Sequence, residues 1–133
     1  MRRKGILALA VVASLALGLG VASAATKYPT KIVFLGGTEG PPSDLTLFGN
    51  LDTKRKCLAA RKMGLFKLTS NGYKLVDVDL SSFNGAWALR GDLTGLPDIA
   101  IKVKRATRKH GNVVCKPDTI KLSAGSPMYP RAR

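Results

Sequence analysis

The segment Cys57–Leu89 constrains the fold most, because it holds three apolar-patterned runs separated by two turns. The turns carry Asn-Gly pairs at 71–72 and 84–85, and such a pair readily adopts the positive backbone angles of a tight β-hairpin. The segment therefore predicts an antiparallel meander. Trp87, the only tryptophan of the chain, alternates with apolar residues in the third run, so we expect it in the core.

Alternation of apolar and polar residues with the two-residue period of a half-buried strand recurs in three runs. These runs are Leu45–Leu51, Val76–Leu80 and Ile99–Val103. In the second run, Val76, Val78 and Leu80 are expected to share the buried face. The preceding run, Arg61–Thr69, does not alternate cleanly, and we expect a β-bulge at Gly64 that resets the side-chain parity.

The remaining segments complete an all-β prediction. Gly36–Ser43 holds three glycines and two prolines and is predicted to be a loop. Val113–Cys115 and Ile120–Leu122 are expected to supply a closing strand. With turn signals every eight to twelve residues or so, and no helix pattern outside the N-terminal segment, the sequence predicts a single antiparallel β-sandwich of about seven short strands over residues 31–122.

The N-terminal segment has the three parts of a secretory signal peptide. A basic start at 1–4 precedes the almost wholly apolar segment 5–20, and Ala22-Ser23-Ala24 supplies the small residues that favour cleavage. We expect a signal peptide at 1–24, cleaved after Ala24 or Ala25, with an uncleaved anchor as the alternative. A linker at 25–30 and a flexible tail at 123–133 would flank the domain, and the protein would be secreted or associated with the cell envelope.

Both cysteines, Cys57 and Cys115, lie in the part of the chain expected to be exported. An even pair in an oxidising compartment favours a disulfide, and closing so long a loop would contribute about 4 kcal/mol in the chain-entropy model. A metal site formed with His110, the only histidine, lacks a fourth soft ligand and any CxxC spacing. We therefore predict no metal and no cofactor.

The chain is strongly basic, with a formal net charge of +14 from 22 basic and 8 acidic residues. Removal of Arg2, Arg3 and Lys4 with the signal peptide would leave about +11, which favours salt-sensitive attraction to polyanions. A basic stripe near the C-terminal end is the candidate binding site. Its residues are Lys102, Lys104, Arg105, Arg108 and Lys109, followed by His110.

The partner of such a stripe would be a wall polymer, an anionic lipid headgroup or an extracellular nucleic acid. Interleaved aromatic residues, on which single-stranded nucleic acids stack, are absent from the stripe itself. A basic surface that serves only solubility is an equally open interpretation of the charge.

The order of several short motifs resembles that of small secreted bacterial β-sandwich domains of the prealbumin-like group, also described as carboxypeptidase regulatory-like or Cna B-type modules. The motifs are Cys57, Arg61-Lys62-Met63, Asn71-Gly72, Asp79-Leu80-Ser81, Asn84-Gly85-Ala86-Trp87, Ile99–Val103 and Cys115. This resemblance covers roughly Lys31 to Leu122. It implies an immunoglobulin-like or prealbumin-like sandwich that acts as a non-catalytic stalk, spacer or binding appendage.

Two departures from the group's pattern limit what the resemblance implies. Leu96-Pro97-Asp98 stands where these modules commonly carry a Gly-Tyr pair before the later strand. The only glutamate, Glu39, lies in the predicted Pro/Gly loop, so the self-formed Lys-Asn cross-link of some members is not expected here.

The sequence favours a secreted, non-enzymatic interaction or structural module, with a basic-face binder of polyanions as the alternative and a hydrolase as the remote one. A single histidine gives no readable nucleophile-base pair. Asp77 and Asp79, two residues apart, suggest general acid-base or calcium chemistry. They lack a DxDxDG loop, however, and are expected to remain solvated on an exposed strand face.

Overall fold

The computed structural model describes residues 24–40 and 44–123. Within these ranges the chain is built from antiparallel sheets with one parallel strand pair, and its one short helical turn is a 3-10 turn at Arg55–Cys57. The all-β prediction is therefore confirmed. The predicted signal peptide, apart from Ala24, and the predicted tail beyond Ser123 lie outside the described residues. In the described ranges, no helix has the length and apolar character needed to span a membrane.

The described residues form ten strands in three sheets. The strands are β1 Thr26–Tyr28, β2 Lys31–Gly40, β3 Asp44–Asp52, β4 Lys62–Thr69, β5 Gly72–Leu80, β6 Ala86–Asp92, β7 Ile99–Val103, β8 Ala106–Arg108, β9 Val113–Cys115 and β10 Asp118–Leu122. A four-stranded sheet has the order β10-β7-β4-β5, one three-stranded sheet has the order β2-β3-β6, and a smaller one has the order β1-β9-β8.

One hydrophobic core lies between the four-stranded sheet and the β2-β3-β6 sheet. Its buried side chains come from both sheets and from the turn after β6. They are Ile32, Phe34, Leu45, Leu47, Leu51, Met63, Leu65, Trp87, Leu89, Leu93, Ile99, Ile101 and Val103. Trp87 is 3% exposed and its indole N–H donates to the carbonyl of Asn50 at 3.1 Å, so its burial leaves no polar atom without a partner. The prediction of a core tryptophan is confirmed.

Two of the three alternating runs behave as predicted. In β3 the residues Leu45, Leu47 and Leu51 are buried while Phe48 is exposed. In β7 the apolar residues face the core, although Ala100 is buried as well. The Asn-Gly pair at 71–72 also makes the expected β4–β5 hairpin, and Gly72 adopts the positive φ of 95° that such a turn requires.

The second Asn-Gly pair, at 84–85, turns the chain but does not form a hairpin, so the predicted three-stranded meander is wrong. Strand β5 pairs with β4, whereas β6 pairs with β3 in the other sheet. The Asn84 carboxamide oxygen accepts from Ala86 N–H at 3.1 Å and closes a local turn that carries the chain into the other sheet. A turn motif fixes a reversal of direction, but the choice of sheet depends on packing.

In the remaining alternating run, Val76–Leu80, side-chain parity was predicted wrongly. Leu65 pairs with Asp77 and Phe66 with Leu75, so the extra residue is Val76 in β5 and the bulge does not lie at Gly64. Beyond this bulge the parity of the strand is reversed. Val76 packs against the core as expected, but Val78 and Leu80 point outward and are 41% and 58% exposed.

Three further segments differ from the sequence prediction. Strand β2 continues to Gly40 through most of the predicted loop, because a register shift at Leu35 lets it stay paired with β3. The predicted closing strand is split by Pro117, so that β9 joins the small sheet and β10 pairs with β7. The predicted linker at 25–30 contains β1, which pairs in parallel with β9.

Aspartate side chains connect the two larger sheets where their edge strands meet. The Asp118 carboxylate in β10 accepts from the Ile32 N–H of β2 at 2.9 Å, and the Asp77 carboxylate in β5 accepts from the Arg90 N–H of β6 at 2.8 Å. At the second seam Gly91 lets β6 approach closely, because a Cβ there would lie 2.1 Å from Val76 Cγ1. A side-chain acceptor thus replaces the main-chain acceptor that a continuous sheet would supply.

We expect the Asp118→Ala variant to be less stable by about 1.5–3 kcal/mol, because the N–H of buried Ile32 loses a charged acceptor. Urea unfolding followed by tryptophan fluorescence measures the change. Asp79→Ala is the matched control, because the Asp79 carboxylate is exposed and its one described hydrogen bond is to the adjacent Leu80 N–H. That control is expected to stay within about 0.5 kcal/mol of the parent. Equal stability of the two variants would contradict a stabilising role for the Asp118 seam.

Candidate functional site

A disulfide joins Cys57, just after Lys56 in the 3-10 turn, to Cys115 at the end of β9, with a Cα–Cα distance of 5.6 Å. The predicted pairing is confirmed. Both cysteines are fully buried and form a small apolar cluster with Val113, separate from the main core. The bond is consistent with an oxidising, extracytoplasmic environment, and neither sulfur is left as a thiolate.

Arg61 lies next to this cluster and is fully buried. Its guanidinium donates to the carbonyls of Cys57, Lys104 and Lys116 at 2.9–3.0 Å and to the Thr30 hydroxyl at 3.0 Å. Burial, followed by repulsion from Arg108, lowers the pKa of Arg61 to about 10, so the group remains protonated at neutral pH. The sequence places Arg61 in the motif Arg61-Lys62-Met63 but does not predict its burial, because nothing in its local pattern distinguishes it from an exposed strand arginine.

The residues of the predicted basic stripe lie in different surroundings in the structure. Lys102 and Lys104 project from β7 and its end and are exposed, as is Arg105 after them. Arg108 is half-buried, and its guanidinium donates to the carbonyls of Lys56, Ala59 and Thr107. Lys109 and His110 lie in the exposed turn between β8 and β9. Lys102 and Lys104 are therefore the two members that share one face of the four-stranded sheet.

Strand register brings two more lysines to that face. Met63 and Leu65 of β4 point into the core, so Lys62, Gly64 and Phe66 point to the opposite side. Lys102 pairs with Gly64, and the N–H of Lys104 donates to the carbonyl of Lys62. Lys121 of β10 reaches the same side, because it pairs with Ala100, which alternates with the core residues Ile99 and Ile101. We call this surface the outer face; its lysines are Lys62, Lys102, Lys104 and Lys121.

The same face carries apolar side chains along β4 and the edge strand β5. Cross-strand pairs place Leu75 beside Phe66, Val78 beside Gly64 and Leu80 beside Lys62, while Tyr73 pairs with Leu68. All of these apolar residues of β5 are more than a third exposed. The described strand positions of this face hold no acidic residue, and Asp98 lies at its margin just before β7, where its carbonyl accepts from the N–H of Leu68 at 2.8 Å. The outer face is therefore cationic toward β7 and β10 and apolar toward β5.

Two of the lysines lie over aromatic rings of this face. Lys102 Nζ is 4.8 Å from the centroid of the Phe66 ring, and Lys121 Nζ is 5.6 Å from that of Tyr73. These are cation–π distances, and the attraction restricts both ammonium groups on the sheet surface. Phe66 itself lies over Gly64, where a Cβ would come within 2.9 Å of the ring. The sequence did not predict Phe66 beside Lys102 or Tyr73 beside Lys121, because each ring comes from a strand distant in the chain.

A shallow depression of about 150 Å³ lies where the cationic and apolar parts of the outer face meet. Its lining residues are Lys62, Met63, Gly64, Phe66, Leu75, Val78, Lys102 and Lys104. Enclosed sites for small molecules usually measure about 300–1,000 Å³, so this depression suits a shallow contact better than an enclosed ligand.

The other sites weighed from the sequence are dispersed. Asp77 accepts a hydrogen bond from the β6 backbone, while Asp79 is exposed beside Leu80. Among residues 24–40 and 44–123, no three His, Cys, Asp or Glu side chains come together in a way that could hold a metal ion. The carboxylates of β5 are thus placed for structural hydrogen bonding.

No family model matches the chain, and no curated protein or solved structure is significantly similar to it. The resemblance to prealbumin-like modules accordingly remains a prediction. The outer face and its geometry are therefore the features that indicate a function.

Proposed function

We propose that the protein is an exported, non-enzymatic β-sandwich module that binds anionic partners through the outer face of its four-stranded sheet. The observation that carries the proposal is the convergence of Lys62, Lys102, Lys104 and Lys121 on a face whose described strand positions hold no acidic residue. The N-terminal signal pattern and the disulfide support export. Both cysteines are held in that disulfide, so neither can serve as a catalytic nucleophile.

The arrangement of the lysines favours binding over a purely solubilising role. Charges that serve solubility need only be spread over the surface, whereas these four share one side of one sheet. The contacts of Lys102 with Phe66 and of Lys121 with Tyr73 restrict their side chains before a partner arrives. Less side-chain entropy is then lost on binding, so each ion pair contributes more to affinity.

The proposal predicts that binding to a soluble polyanion depends on which lysines are present and not only on total charge. Replacing Lys62, Lys102, Lys104 and Lys121 by Gln removes four charges from the outer face. We expect the dissociation constant for heparin, measured by titration at low salt, to rise about tenfold or more.

The matched control removes four charges elsewhere, by replacing Lys27, Lys31, Lys54 and Lys116 with Gln. These side chains are exposed and lie outside the outer face. We expect the control to change affinity by less than about threefold, since it removes only long-range attraction. Equal losses in the two variants would mean that net charge alone drives retention, and the proposed binding face would be wrong.

A further inference from the structure

We propose that the partner of the outer face is the surface of an anionic lipid bilayer. This inference rests on the proposed function and assigns the chemical class of its partner. Lysines on one half of the face would contact lipid phosphates, and the exposed aliphatic side chains of β5 would enter the interfacial region between headgroups and acyl chains.

The exposed aliphatic side chains are the first reason to choose a lipid surface. Leu75 is 57% exposed and Leu80 is 58% exposed, and both lie in the same strand as Val78 on the same face. A soluble polyanion would neutralise the lysines but leave these three side chains in water. An anionic bilayer offers phosphate and hydrocarbon to the same contact surface, and so matches both halves of the face.

The backbone of β5 argues against edge pairing with another strand. Its Val78 N–H already donates to the Asp77 carboxylate at 2.9 Å, and its Leu80 N–H donates to the Asp79 carboxylate at 2.7 Å. Because these two N–H groups are already hydrogen-bonded, the edge of β5 offers fewer free donors for pairing with another strand. A second copy of the chain stacked on the outer face would bring eight lysines together, which opposes self-association.

The aromatic residues argue against a single-stranded nucleic acid. Base stacking needs an open ring face, yet an ammonium group already lies over each of the two rings, that of Lys102 over Phe66 and that of Lys121 over Tyr73. The Phe66 ring also lies close to the backbone at Gly64, where a Cβ would come within 2.9 Å of it. The depression of about 150 Å³ beside Phe66 has room for part of a headgroup or a few methylene groups.

Vesicle co-sedimentation of the mature protein tests the inference. The vesicles are phosphatidylcholine alone, and phosphatidylcholine with about 30 mol% phosphatidylglycerol. We expect partitioning onto the anionic vesicles and little onto the neutral ones. Replacing Leu75, Val78 and Leu80 by Ser should reduce partitioning onto anionic vesicles about tenfold or more, while the affinity for heparin stays within about twofold.

The matched control is Leu35→Ser, which removes an aliphatic side chain that is 55% exposed in the β2-β3-β6 sheet. It is expected to leave partitioning within about twofold of the parent. Near-ultraviolet circular dichroism of Trp87 confirms that each variant is folded.

The outcomes separate this inference from the proposed function. If the Ser variant partitions like the parent, or if the parent binds heparin but not anionic vesicles, the lipid assignment is wrong and the anion-binding face stands. If single-stranded DNA binds more tightly than the vesicles and the Ser variant keeps that affinity, the partner is a nucleic acid. If neither heparin nor anionic vesicles are bound, both proposals are wrong.

Discussion

Removing the disulfide by replacing Cys57 and Cys115 with Ala is expected to lower the free energy of unfolding by about 4 kcal/mol. The bond closes a loop with a sequence separation of 58 residues, and its loss returns that loop's freedom to the unfolded chain. A domain of this size has a net stability of about 5–15 kcal/mol, so the variant would retain little margin at 37 °C. Urea unfolding followed by circular dichroism measures the difference.

The effect should also be uneven across the fold. Cys115 ends β9, whose sheet with β1 and β8 has only a small apolar cluster around the disulfide. Amide hydrogen exchange of the Ala variant should therefore accelerate most in β9 and least in β7, which lies in the main core. Reduction of the parent protein with dithiothreitol is the control and should give the same pattern. A loss below about 1 kcal/mol with uniform exchange would contradict a dominant role for the cross-link.

Local patterns in the sequence were sufficient for the elements whose neighbours are close in the chain. Period-two alternation predicted β3 and β7, and the Asn-Gly pair at 71–72 predicted the β4–β5 hairpin. These features depend on side-chain direction and turn geometry within a few residues. The disulfide could also be predicted, because the number of cysteines and the expected compartment leave few alternatives.

Features that depend on distant strands could not be predicted. The bulge at Val76 depends on how β5 fits beside Gly91 of β6, and it decides that Val78 and Leu80 face outward. The outer face likewise depends on the register that brings Lys62 and Lys121 beside Lys102, although they lie about 40 and 19 positions away in the chain. A sequence-based search finds basic residues that are adjacent in the chain, and so it favoured Arg108. In the structure the Arg108 guanidinium donates to backbone carbonyls.

Replacing Arg61 by Met is expected to destabilise the fold by about 3 kcal/mol, at about 1 kcal/mol for each buried acceptor left without its donor. The apolar stem is kept, but the carbonyls of Cys57, Lys104 and Lys116 lose a donor that no water can readily replace at a fully buried site. These carbonyls belong to the 3-10 turn and to the residues just after β7 and β9, so one guanidinium holds three segments together. Urea unfolding at pH 7 measures the change, and exposed Arg105→Ala is the control, expected within about 0.5 kcal/mol.

Arg61→Lys keeps the positive charge and separates charge from geometry. An ammonium group cannot reproduce the planar fork of donors that reaches all four acceptors, so we expect the Lys variant to lose at least half of the stability that the Met variant loses. The folded-state pKa of about 10 lies below the usual 12.5 for arginine. Above about pH 10 the folded state loses the Arg61 proton while the unfolded state keeps it, so the parent protein becomes more stable as pH rises through this range. Below about pH 10 both states are protonated, and this contribution does not change with pH. From pH 5 to 9 the difference between parent and Met variant should stay constant. A Lys variant as stable as the parent would show that the charge, and not the fork of hydrogen bonds, is what the buried site requires.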